Sequence, residues 1–156
     1  MPKPTDIRLL EVTTETEEFA YRSAMKFGGR VVTDVVLLHV RAEVETRDGR
    51  RGKGFGSMTM GNVWAWPSEK LSGDETLEPM IELGKKLAEN ANDYQGAGHP
   101  LEITHDLAEL QQPTAEAITG AVGSAEPMPR LARLVAASPL EAAIHDAYGK
   151  RSARFV

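Results

Sequence analysis

Apolar and polar positions alternate most cleanly over residues 35–46. Val36, Leu38, Val40, Ala42 and Val44 fall on one side, and Leu37, His39, Arg41, Glu43 and Glu45 on the other. A period of two predicts a strand with one buried and one mostly wet face. A first strand is predicted over residues 7–13, with Ile7 and Leu9 on one face and Leu10 and Val12 on the other. The polar, then aromatic stretch at 14–30 shows no such alternation and is too long for a tight turn, so it reads as a long loop. Its Tyr21, Lys26 and Phe27 either touch a ligand or fold back onto their own domain. Arg47-Asp48-Gly49-Arg50 carries the Asp-Gly signal of a hairpin, and a return strand starts near Arg51.

Gly52, Gly54 and Gly56 share one face of that return strand. Their G-x-G-x-G spacing after a hairpin lacks the strand-to-helix setting of a dinucleotide loop and predicts close approach by a neighbour. Residues 57–67 hold both tryptophans and read as a loop that either packs on its own helices or closes over a ligand or another domain. The period then changes to that of a helix. A run from Asp74 or Glu75 to Asn92 places Leu77, Met80, Ile81, Leu87, Ala88 and Ala91 on one face. Short helices are expected over 104–110 and 114–122, and a turn or two over 130–137. A final helix is expected over 138–150, with Ser138 as N-cap, Pro139 at its first position, Glu141 completing a capping box and Gly149 as its C-terminal stop. The order, strands over about 7–60 and helices over about 74–150, predicts an α+β fold: a three-stranded antiparallel meander followed by a small helical bundle.

Composition narrows the function. At 156 residues the chain has the length of one domain, and its net charge of -5 argues against a nucleic-acid partner. Arg50, Arg51 and Lys53 beside the turn read as a solvated edge. With no cysteine there is neither a disulfide nor thiolate chemistry. No apolar run reaches a membrane span and no signal peptide opens the chain, so a cytoplasmic location is expected. His39 sits on the wet face. His99 and His105 have no metal-pair spacing and read as solvated. His145 and Asp146 are neighbours on a helix, do not face each other, and so form no dyad; Asp146 reads as a structural partner.

With these elements in place, the chain resembles the N-terminal capping domain of the enolase superfamily, on the side of mandelate racemase and muconate lactonizing enzyme. The likeness lies in the strand with its Asp48-Gly49 hairpin and glycine-spaced return, and in Pro139-Leu140-Glu141-Ala142-Ala143-Ile144-His145-Asp146-Ala147-Tyr148-Gly149-Lys150, which is similar to the family's alanine-rich helix. Many members place a glutamate after the glycine-spaced strand, where this chain has Ser57; this leaves the subgroup open.

The resemblance implies a single capping domain over 1–156, with a catalytic barrel expected to begin where this sequence ends, at Val156. The barrel of the same polypeptide would hold magnesium, so no cofactor is expected in this chain, and it would carry the groups that take the proton next to a carboxylate. The reaction would be racemisation, cycloisomerisation or dehydration of a small carboxylate substrate, by an isomerase or lyase. The capping part supplies no base, and alone it is expected to be inactive; its two loops, 17–30 and 57–67, would close the barrel mouth. The substrate-binding candidates they carry are Tyr21, Lys26, Phe27, Met60, Asn62 and Trp64. A homo-oligomer is expected. The alternative is a self-standing, non-catalytic module that binds a ligand or itself. A compact enzyme is disfavoured, since no G-x-S-x-G elbow is present.

Overall fold

The structure, a computed structural model, describes residues 1–152; the expected junction at Val156 lies outside them. Three long strands, β1 (Ile7–Phe27), β2 (Arg30–Thr46) and β3 (Arg51–Thr59), pair antiparallel. A two-residue strand, β4 (Ala97–Gly98), adds to the start of β1, giving the order β3-β2-β1-β4. The helices are α1 (Asn62–Ala65), α2 (Gly73–Asp93), α3 (Pro100–Ala108), α4 (Gln111–Ala121) and α5 (Arg130–Ser152). The fold is α+β, as the pattern predicts, with one short strand more than the expected meander.

The expected loop at 14–30 is instead mostly strand. β1 runs on to Phe27, pairing Glu17 with Leu37, Phe19 with Val35 and Met25 with Val32. The register slips between Ala20 and Met25, where β1 spends more residues than its partner. Gly28 and Gly29 close the hairpin at φ 54° and 80°, the left-handed geometry that a two-residue turn between twisted strands requires. Alternation fails here because side chains from Glu15 to Phe27 are exposed whichever way they point. Hydrophobic period reports burial, and this ribbon extends past the helices that would bury it.

The second hairpin forms where Asp48-Gly49 predicts it. Gly49 takes φ 82°, and Thr46 and Arg50 exchange backbone and hydroxyl hydrogen bonds across the turn. Beyond it the glycines of β3 face α5 at backbone range. A Cβ on Gly52, Gly54 or Gly56 would overlap the carbonyl oxygen of Ala147, Ala143 or Pro139 respectively. The helix answers with small residues, Ala143 and Ala147, both fully buried. Glycine on the strand and alanine on the helix thus set the distance between the two layers.

α5 itself corrects an expectation. Residues 130–152 form one helix, and Ser138 and Pro139 lie inside it. Pro139 has no N–H to give the Val135 carbonyl four residues back. The Ser138 hydroxyl donates to that carbonyl instead, at 2.9 Å. Gly149 is likewise within the helix and ends nothing. α2 opens on Ser72, whose hydroxyl accepts from the Glu75 amide while Glu75 accepts from the Ser72 amide. α3 and α4 each start earlier than predicted, α3 because His99 caps it through Nδ1 with Pro100 at the first position. His99 also packs edge-on against Tyr148, ring centroids 5.1 Å apart, and so is not simply solvated.

The core lies between the sheet and the helices. Ile7, Val12, Leu38, Val40 and Val44 meet Met80, Leu83 and Leu87 of α2 and Ile144 of α5. Each such fully buried side chain contributes about 1.5–3 kcal/mol. Among the described residues, no helix is long and apolar enough to cross a membrane.

Candidate functional site

The far end of the β1–β2 hairpin leans over the turn that follows β3. Between them lies a cleft of about 250 Å³. It is lined from the hairpin by Tyr21, Met25, Phe27, Val32 and Asp34, and from the other side by Met60, Asn62 and Trp64. Two stretches separated in sequence by most of β2 and all of β3 therefore build one concavity. Arg30, at the hairpin's end, donates through Nη2 to the Ser68 carbonyl at 2.5 Å and ties the ribbon to the segment between α1 and α2.

Five of the six residues singled out in the sequence line this cleft; Lys26 is exposed on the hairpin outside it. Their roles differ. Tyr21, Phe27 and Trp64 are 38%, 52% and 37% exposed and form its walls. Met60 is 1% exposed and belongs to its floor. The Asn62 amide nitrogen donates to the Gly73 carbonyl at 2.8 Å and contacts the Thr76 hydroxyl at 2.9 Å, holding α1 to the start of α2. Trp64 lies flat on Gly61, where a Cβ would overlap its indole nitrogen. The second tryptophan is not at the surface: Trp66 is buried, and its indole N–H donates to Glu126 at 2.8 Å. Met25, Val32 and Asp34 of the cleft were missed in the sequence. The signal that finds them is register, since Met25 faces Val32 only when 14–30 is read as a strand.

The outer sheet face has its own chemistry. His39 Nε2 meets Glu17 at 2.9 Å, and its ring stands 5.4 Å from Phe55, which also carries the Arg41 guanidinium at 5.1 Å. The His39 side chain is only 14% exposed, more covered than a wet face implies. Arg51 and Lys53 pair with Glu43 and Glu45, and Arg50 with Asp48, so the basic cluster is spent on its neighbours. Such exposed pairs contribute about 0–1 kcal/mol each. Asp146 accepts from the Phe55 amide at 2.9 Å and from Lys150 at 2.6 Å, which draws its carboxyl below the usual range and joins α5 to β3. Burial lifts the Glu141 carboxyl, which accepts from the Gln111 amide at 3.5 Å.

A larger groove of about 690 Å³ runs between α2 and α4, floored by Leu71, Pro79 and Ile118 and rimmed by Glu75, Glu78 and Glu82. It contains none of the residues that the sequence singled out. Among the described residues, no three His, Asp or Glu side chains converge to hold a metal ion.

No family model matches the chain, and no curated relative does. Solved structures do. L-talarate/galactarate dehydratase from Salmonella typhimurium LT2, liganded with Mg and L-lyxarohydroxamate, is 18% identical; the match covers 95% of this chain and 32% of that one, with a TM-score of 0.49. An enolase from Bradyrhizobium, complexed with magnesium and mandelic acid, is 15% identical over 92% of this chain and 31% of its own, with a TM-score of 0.46. A mandelate racemase/muconate lactonizing protein from Herpetosiphon aurantiacus is 16% identical over 93% and 31%, with a TM-score of 0.36. These neighbours are enolase-superfamily enzymes, and the chain spans about a third of the length of each.

Proposed function

We propose that this chain is the N-terminal capping part of a magnesium-dependent enolase-superfamily enzyme that takes the proton next to a carboxylate. In this reading the metal, the base and the reacting carbon all lie in a barrel that follows in the same polypeptide. This chain alone is inactive, and the whole enzyme works as a homo-oligomer on a small carboxylate, in the cytoplasm, as an isomerase or lyase.

The reading is carried by one observation. The two stretches that the resemblance would place at a barrel mouth, 17–30 and 57–67, lie together at one cleft, with Tyr21, Phe27, Met60, Asn62 and Trp64 on its walls and floor. The capping chemistry is then one of position. Tyr21, Phe27 and Trp64 cover the substrate and exclude water, while Met60 and Asn62 hold the covering segment in place and Lys26 faces the rim. A closed, water-poor mouth strengthens every electrostatic contact to the charge that develops on loss of the proton.

The test is exchange of the proton next to the carboxylate in deuterated water with added magnesium. It is run on the full polypeptide that the coding region specifies and on the 156-residue chain. Exchange by the first and none by the second is expected. A coding region with no barrel after Val156, or exchange by the short chain, overturns the reading.

A further inference from the structure

We infer that the cleft between the hairpin and Trp64 receives an uncharged, apolar or aromatic portion of the substrate, rather than its carboxylate or a chain of hydroxyls. The inference rests on the capping reading for where the carboxylate goes; the chemistry of the cleft stands apart from it.

Three observations lead there. First, the lining is apolar and aromatic: Tyr21, Met25, Phe27, Val32, Met60 and Trp64 supply most of it. Second, among the described residues no lysine, arginine or histidine lines the cleft, and its one carboxylate is that of Asp34. Arg30 lies outside the lining, and its Nη2 donates to the Ser68 carbonyl. A substrate carboxylate placed here would meet a like charge and no cation, which disfavours it. Third, the polar groups that remain are few and partly engaged. The Asn62 amide nitrogen is held by Gly73 and Thr76, and Asp34 accepts from Thr33 at 2.9 Å. A run of hydroxyls buried here would trade water for too few partners. Sites for whole small ligands run roughly 300–1,000 Å³; at about 250 Å³ this cleft fits a side group.

Neutral fragments test the cleft without needing the barrel. The 156-residue chain, labelled with nitrogen-15, is titrated with benzyl alcohol and separately with sorbitol. Benzyl alcohol is expected to shift the Trp64 indole N–H and the Gly61 and Phe27 amides, and sorbitol to leave them in place. Trp64→Ala is expected to weaken the benzyl alcohol response roughly fivefold. Trp64 is a partly exposed side chain whose loss leaves the core intact, with Trp66 fluorescence as the check on folding. Phe27→Ala serves as the second variant, at a position 52% exposed. Equal shifts from sorbitol, no shift from either probe, or benzyl alcohol signals confined to Leu71, Ile118 and Val122 in the larger groove would each overturn the inference. The capping reading fails separately, on the coding region and the exchange assay.

Discussion

The Ser138 hydroxyl takes over the hydrogen bond that Pro139 cannot make, donating to the Val135 carbonyl at 2.9 Å. A Ser-Pro pair that reads as a helix start in sequence thus sits in the middle of a continuous helix. Ser138→Ala leaves a carbonyl beside the buried core without its donor and is expected to cost about 1–2 kcal/mol in urea unfolding. Pro139→Ala restores the missing N–H. In that background the same serine substitution is expected to cost less than half as much. Equal costs in both backgrounds would contradict the replacement.

A second local bond secures the free edge of the sheet. The Asn92 amide accepts from the Val12 N–H at 2.7 Å and donates to the Val12 carbonyl at 2.8 Å, beyond the point where the two-residue β4 stops pairing. Asn92 therefore acts as one more rung of strand. Asn92→Ala is expected to destabilise by about 1–3 kcal/mol and to speed amide exchange at Val12.

Glycines separate the two accounts of the last helix. At Gly54 an added Cβ would overlap backbone atoms of Ala143 and Ala147, which cannot swing aside. Gly54→Ala is expected to cost at least about 3 kcal/mol or to prevent folding. Gly149 has open space and lies within α5. Gly149→Ala is therefore expected to stabilise, by up to about 1 kcal/mol; destabilisation would restore the helix stop that the sequence predicts.

The Arg30 bond to the Ser68 carbonyl ties the end of the hairpin to the segment between α1 and α2. Arg30→Ala is expected to raise hydrogen exchange over residues 20–34 severalfold while moving the thermal midpoint by only a few degrees, about 1 kcal/mol or less. A large loss of global stability would mean that the hairpin and the core unfold together.

The Asp48 carboxyl is held at about 2, below its ordinary 3.8, first by the Arg50 guanidinium and then by the Thr46 hydroxyl. A lowered folded value means the charged form favours the fold. Its contribution is intact above about 3.8 and is lost as pH falls towards 2. Carbon-13 titration of the Asp48 carboxyl should give a midpoint near 2, and Arg50→Ala should raise it.

Much of the architecture was legible because burial and conformation agree there. The β2 alternation, the Asp48-Gly49 turn and the glycine row facing α5 each follow from one local rule. The hairpin was not legible, since residues 15–27 are exposed on both sides and their pairing with β2 leaves no trace in the apolar pattern. The α5 start was misread because a capping box and a Ser-Pro pair inside a helix look alike until the residues behind them are placed. Both segments that the sequence singled out line the cleft. The sequence could not tell walls from floor: Met60 and Trp64 are four residues apart, yet one is buried and the other exposed.

The hairpin's reach past β3 has one more consequence. β3 stops opposite Leu37, so residues 17–34 carry the cleft on two strands that no third strand supports. A bare two-stranded ribbon is marginal in water, but it is also a part that can be rewritten. Substitutions at Tyr21, Met25 or Phe27 reshape the lining of the cleft and lie away from the glycine–alanine seam that holds α5 to the sheet. The same two strands thus build the core at one end and, at the other, carry exposed side chains that can be replaced at little risk to folding.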